Sequence, residues 1–256
     1  MTPEKAVPRK QREFGRETLR AAASLVAPIH FAPRDGAGNT AINNGTIFFL
    51  DLGQGPFGVT ADHVLRAFLN RKRAEPGLRC QIAELPFEPE DRLIDRDDYR
   101  DIATFRIEAE ELARLGNAVH RPRYRWPPKP PERGQGVLFA GYPGCERRLV
   151  GRRKVEFGIC LAAPVATAIN DRAVICQFER AHWIDAFGSA PPPENRFLGG
   201  LSGAPLWTVS GRGGKAAWRL GGVISAFSQN WDLLFAKHAA CILPDGRLTT
   251  RLPGGA

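Results

Sequence analysis

Apolar residues in this chain arrive in short bursts. TIFFLDL, FGVTA, LRCQIAEL, DIATFRI, QGVLFAGYPG, KVEFGICLAAPVA, AVICQFER, APLWTVS and AAWRLGGVISAF follow one another, with AACIL closing the series. Most are bounded by glycine, proline or charged residues, and runs of this length between turn residues read as strands rather than helices. With 27 glycines and 21 prolines in 256 residues, turns are plentiful enough to join many such elements. Helical patterning is confined to a short stretch in ETLRAAASLV, a brief turn in HVLRAFLN and another in IEAEELARLG. The expectation is an all-β barrel or sandwich.

One segment interrupts the strands. RPRYRWPPKPPERG, residues 121–134, holds five prolines and no apolar periodicity. Proline stiffens a chain toward an extended form and cannot donate to a sheet ladder, so this segment reads as a crossover. The chain then divides into a disordered basic tail at 1–16, an N-terminal β module at 17–120 and a C-terminal β module at 135–256.

The formal net charge is +9, and the first twenty residues carry six Lys/Arg against three Glu. The other basic clusters, NRKRAEPGLR, RPRYRW and GRRK, are scattered and accompany no nucleic-acid-binding motif. Aromatics between the arginines of RPRYRW could stack on single-stranded nucleic acid, but the prolines that follow make a solvated connection the plainer reading. No run of eighteen apolar residues offers a membrane span, and the N-terminus lacks the apolar core of a secretory signal. Cys80, Cys145, Cys160, Cys176 and Cys241 are odd in number and form no C-x-x-C, as expected of reduced thiols in a cytoplasmic protein without a metal site. His30, His120, His182 and His238 have no serine or carboxylate motif beside them and read as packed or solvated. The five tryptophans read as core or pocket wall.

The chemistry gathers around TADHV. His63 arrives where the run FGVT stops, and imidazole is the side chain that exchanges protons near neutral pH. Serine becomes a nucleophile only when a neighbouring base takes its proton, and a carboxylate that orients that base completes the set. In GGLSGAP, Ser202 stands between glycines that tolerate a folded-back loop, so Gly200 and Ser202 can aim backbone amides at one point. In YRDIATF, Asp101 enters an apolar strand, whereas Asp95, Asp97 and Asp98 read as a solvated turn.

Taken together, GVTADHV, DIATF and GLSGAP, in the order His, Asp, Ser, resemble the motifs of trypsin-like (chymotrypsin-fold) serine peptidases. VLFAGYPG is similar to a strand and turn found early in the second barrel of bacterial members. The resemblance covers roughly residues 40–235. It implies two six-stranded antiparallel β-barrels with the active site in the cleft between them, and a protein or peptide substrate cleaved without cofactor or metal. His63 would shuttle the proton, Asp101 orient it and Ser202 attack, with the amides of Gly200 and Ser202 as the oxyanion hole. Arg196, six residues before the nucleophile, would sit at the base of the primary pocket or point to solvent from a loop of another length. Ser225, Ala226 and Phe227 would pair with an extended substrate.

The sequence also departs from the secreted members. Val64 stands where they carry a cysteine, and Leu201 where zymogen-activated members carry an aspartate. Restraint is therefore expected from narrow specificity, a regulatory partner protein or an ordering of loop 189–198. Two other readings stay open, a catalytically silent protein-binding module on the same scaffold and a nucleic-acid-associated protein using its basic segments.

Overall fold

Strands between Val26 and Arg106 build one antiparallel sheet, and strands between Val137 and His238 build a second. The computed structural model describes residues 17, 20–33, 42–150, 154–178, 198–210 and 217–249. The basic tail 1–16, the loop 189–197 and Arg196 lie outside the described residues.

The first sheet comprises β1 (Val26–Pro33), β2 (Asn43–Asp51), β3 (Pro56–Thr60), β4 (Leu78–Ile82), β5 (Leu85–Phe87), β6 (Leu93–Asp97) and β7 (Ile102–Arg106), in the order β5-β4-β1-β2-β3-β7-β6. The second combines β8 (Val137–Gly141), β11 (Cys160–Ala162), β12 (Val165–Ile169), β13 (Val174–Gln177), β14 (Pro205–Ser210), β15 (Ala217–Ser228) and β16 (Leu233–His238), in the order β11-β8-β14-β15-β16-β13-β12. A separate hairpin, β9 (Arg147–Val150) with β10 (Lys154–Phe157), extends from the second sheet. Each sheet thus has seven strands where six were expected. In the first, LRCQIAEL does not run straight through. Ala83 takes φ 49, a left-handed turn that folds β5 back on β4. AACIL is likewise no strand but a 3-10 turn at Ala239–Cys241.

Alternation along β2 explains how the sheets join. Ile47 and Phe49 point into a core inside the first sheet, where they meet Leu65 and Phe68 of α1 (Asp62–Ala74). Phe48 and Leu50 point the other way, into a core shared with Leu138, Trp207, Leu220 and Val223 of the second sheet. A strand apolar on both faces is buried on both faces, and each fully buried Phe or Leu contributes about 1.5–3 kcal/mol. Phe48 meets Trp207 edge-on at 6.2 Å, so this shared core clamps the two sheets together. A third core, with Phe139, Leu201, Leu206 and Ile224, fills the second sheet.

Among the described residues two helices interrupt the first sheet, α1 and the single turn α2 (Pro89–Arg92), and α3 (Ala109–Leu115) follows its last strand. Where a brief turn was expected after His63, α1 runs for 13 residues. Val64, Leu65 and Phe68 form its buried stripe, Arg71, Lys72 and Arg73 suit its C-terminal dipole, and Glu75 ends it before Pro76.

The proline-rich crossover is not a bare solvated connection. The His120 amide donates to Phe49 O at 2.9 Å, Tyr124 Oη accepts from Leu220 N at 3.0 Å, and Trp126 Nε1 donates to Ile242 O at 2.7 Å. Its aromatic side chains bind this protein's own backbone. The tryptophans divide by position: Trp207 is fully buried, while Trp231, expected in core or pocket wall, is 73% exposed in the turn between β15 and β16.

Candidate active site

His63 is the second residue of α1, which begins as soon as β3 ends. Its ring is 39% exposed, open enough to meet a substrate. Asp101 is the last residue of the turn between β6 and β7, in left-handed backbone at φ 50, a conformation that aspartate adopts more readily than most residues. From there its carboxylate reaches across to α1. Oδ1 accepts the backbone amide of His63 and Oδ2 lies against ring Nδ1, both at 2.8 Å. The first contact holds the carboxylate's orientation and the second selects the ring edge that faces it, leaving Nε2 directed elsewhere.

Asp98 is exposed in the turn, as expected, but Asp95 and Asp97 do structural work, which corrects their reading as part of a solvated turn. Asp95 lies in β6, where its Oδ2 accepts Leu248 N at 2.9 Å. Asp97 accepts both the amide and the guanidinium of Arg100, and these hold its carboxyl below the usual range against the opposing effect of burial.

Ser202 lies in a tight turn just before β14, docked on the first sheet. Thr46 N donates to Ser202 O at 2.8 Å, and Thr46 Oγ1 donates to Gly200 O at 2.9 Å while accepting from Tyr142 N at 3.0 Å. Thr60 Oγ1 in turn donates to Thr46 O at 2.6 Å. Gly203 completes the fit: its φ is +91°, and a Cβ there would stand 2.1 Å from Thr46 O and 3.0 Å from Ala61 N. The Ser202 turn is thereby pressed against the residues that lead into His63. Gly45 lies between the two, since a Cβ on it would touch the Val64 side chain at 2.8 Å and Ser202 O at 3.3 Å. Among the described residues no hydrogen bond joins the Ser202 hydroxyl to His63.

Backbone amides around Ser202 divide into two sets. Leu201 N, Gly203 N and Ala204 N donate to Leu198 O, Ile224 O and Leu201 O. Gly200 N and Ser202 N donate to no acceptor among the described residues. The peptides that carry them are anchored from behind, because Gly199 O accepts Gly144 N at 2.5 Å and Leu201 O accepts Ala204 N at 2.9 Å. In a trans peptide the N–H points opposite to its carbonyl, so both free amides face away from those anchors. Two such donors on one turn can stabilise an oxyanion.

Leu201, in place of an acid, is buried in the core of the second sheet. Ser225, Ala226 and Phe227 lie in β15, paired with β16 on one side, while pairing with β14 stops at Val223. The opposite edge of 225–227 carries no strand among the described residues. Ser225 Oγ donates to Phe235 O at 3.3 Å, and Phe227 packs on Phe178. Among the described residues no group of three or more His, Cys, Asp or Glu could hold a metal ion. No helix among them is long and apolar enough to cross a membrane.

The fold is shared with a solved structure. A serine endoprotease from Yersinia pestis matches with a TM-score of 0.51 over 89% of this chain, at 15% identity. The chain has the chymotrypsin-like fold. It spans 62% of the length of that endoprotease. A thermostable serine protease, AL20, from an extremophilic microorganism matches 85% of this chain and 92% of its own, at 13% identity and a TM-score of 0.46. A protease from M. tuberculosis in its active form matches 93% and 89%, at 14% identity and 0.42. No family model and no curated protein matches the sequence.

Several residues of this site are not marked by their sequence surroundings. Thr46, a lone hydroxyl opening the apolar run TIFFL, was legible as an oddity but not as the anchor of a loop more than 150 residues away. Asn44 was invisible: its Nδ2 donates to Tyr142 O at 2.7 Å and its Oδ1 accepts from Arg147 Nη1 at 2.8 Å. Asp62, an acid directly before His63, was the strongest signal passed over.

Proposed function

We propose that the chain is a serine endopeptidase, in which His63, Asp101 and Ser202 form a catalytic triad. The observation that carries the reading is the double contact of Asp101 with His63, made where the Ser202 turn docks beside the same helix start. With Nδ1 held by Asp101, Nε2 is the ring position that takes the proton from Ser202. The serine oxygen attacks the scissile carbonyl, and the amides of Gly200 and Ser202 receive the charge that develops on its oxygen. His63 then gives its proton to the leaving amine, and water, activated by the same ring, releases the acyl-enzyme. The edge of Ser225–Phe227 that pairs with no strand among the described residues suits an extended protein or peptide substrate added as a further strand. No cofactor enters the scheme. The five cysteines, none of them in a disulfide, suit a cytoplasmic setting.

One observation favours a second reading, a protein-binding module without catalysis: Ser202 and His63 share no hydrogen bond among the described residues. Such bonds in catalytic sites often close only when substrate is bound, so the peptidase reading stands first. The deciding experiment is labelling by a fluorophosphonate probe. The expected result is one modification, on Ser202, absent in Ser202→Ala and paralleled by cleavage of members of a peptide library. Wild-type protein that is folded yet neither labelled nor active would leave the binding module.

A further inference from the structure

The residue before His63 is a carboxylate that the proposed mechanism does not use. Asp62 is fully buried in the first turn of α1, and a carboxylate taken out of water is costly unless it is paired. Arg96 of β6 pairs with it at two points: Nη2 donates to Oδ2 at 3.0 Å, and Nε stands 2.8 Å from Oδ1. Arg66, one turn along α1, places its Nε 2.9 Å from Oδ2. The amino end of the helix adds its own positive field. Burial pushes the Asp62 carboxyl up, Arg96 and Arg66 pull it down, and the like charge of Asp101 pushes it up again.

His63 therefore follows one buried carboxylate directly in the chain and is bonded through its ring to another, that of Asp101. The same hairpin supplies the counterweight to the first. Arg96 stands opposite Ala103 in the β6–β7 register, and Asp101 leads into β7. The charged groups facing Asp62 are Arg66 from its own helix, Arg96 from β6 and Asp101 from the turn before β7.

We propose that Arg96 is a positioning residue that acts through Asp62: together with Arg66 it neutralises the buried carboxylate at the head of α1, so that the imidazole of His63 answers to Asp101 alone. This rests on the triad reading above. An unneutralised second carboxylate favours a charged ring at rest, and a charged ring cannot take the proton of Ser202. Arg96 carries more of the task than Arg66. Its side chain is 33% exposed against 46%, and it makes two contacts where Arg66 makes one.

The test compares Arg96→Met, Asp62→Asn and the double variant in the full chain. Two quantities are read, turnover of a peptide substrate and the low-field proton NMR signal of the His63 Nδ1–H. Arg96→Met is expected to lower kcat by about tenfold or more with KM little changed, and to shift or abolish the signal. Asp62→Asn leaves two guanidinium charges without their carboxylate and also slows turnover. The double variant restores the local charge and is expected to recover both readouts, although it has lost every contact of the pair. A double variant as impaired as Arg96→Met shows a mechanical tie instead and overturns the proposal, as does an Arg96→Met protein that behaves as wild type. Should Arg96→Met not fold, recovery from Asp62→Asn to the double variant decides the question in the same way. The NMR signal needs no turnover. A chain whose NMR signal follows this pattern but which is not labelled by the fluorophosphonate loses the peptidase reading and keeps this charge balance.

Discussion

Asp101 grips His63 at two places, the main-chain amide through Oδ1 and ring Nδ1 through Oδ2. The amide is a fixed donor, so it dictates which oxygen is left to face the ring. An asparagine at this position would spend its one carbonyl oxygen on the amide and turn its NH2 group toward Nδ1. The ring would then have to present Nδ1 as an acceptor and carry its proton on Nε2, the wrong tautomer for a base. Asp101→Asn is expected to keep the fold and lower kcat on the order of 10⁴-fold with KM little changed. Steady-state kinetics beside a thermal melt would check this, and a loss of less than tenfold would count against the triad.

Space, as well as backbone angle, makes glycine necessary at 203. Gly203 and Gly53 both have positive φ, at +91° and +101°, but only Gly203 has backbone oxygen where a Cβ would go. Gly53→Ala is expected to cost about 1–2 kcal/mol, the penalty of the left-handed conformation alone. Gly203→Ala adds a clash with Thr46 O and Thr60 Oγ1 and is expected to cost at least about 3 kcal/mol. Urea denaturation of the two variants side by side measures the difference.

Thr46 offers a separate test of how the Ser202 turn is held. Thr46→Val keeps the amide bond to Ser202 O but leaves Gly200 O and Tyr142 N without their hydroxyl partner in a fully buried place. The expected loss is about 1–3 kcal/mol of stability, with a fall in fluorophosphonate labelling rate. Thr46→Ser retains the hydroxyl and should label close to the wild-type rate. Equal rates in all three proteins would mean that the turn keeps its shape without this bond.

Two buried histidines set a pH dependence of folding. Burial lowers His30 to about 4, with Arg147 adding to the effect and a Gln81 hydrogen bond opposing it, and burial alone lowers His120 to about 4. Between about pH 4 and 6.5 the unfolded chain binds protons that the folded one refuses. Stability from these groups is therefore complete above about pH 6.5 and is lost as the pH falls toward 4. The slope is about 1 kcal/mol per pH unit for each histidine at most. His120→Phe, which keeps a ring against Trp207, should remove about half of that slope in denaturation curves taken from pH 4 to 7. An unchanged slope would mean that the unfolding reaction does not expose His120.

Local chemistry was legible along the chain wherever one residue's surroundings lie within a few positions of it. FGVT ends and α1 starts at TADHV because a helix needs only its own turns to form. Asp101 could be singled out because it precedes an apolar strand, and GLSGAP because its glycines admit positive φ. Asp95 was misjudged because its partner, Leu248 N, lies about 150 residues away. The same holds for Tyr124 and Trp126, whose hydrogen-bond partners belong to the second sheet and to the segment after it.

By itself, then, the sequence determined the strand-rich class, the places where turns fall and the three side chains on which the proposed chemistry depends, since these follow from periodicity and residue type. Tertiary structure alone decided how they meet. It gave Asp101 two bonds to one residue, set Thr46 behind the Ser202 turn and placed Arg96 against Asp62. Each of these contacts joins groups 34 to 156 residues apart, and packing two curled sheets around a shared core is what brings such groups within hydrogen-bond range.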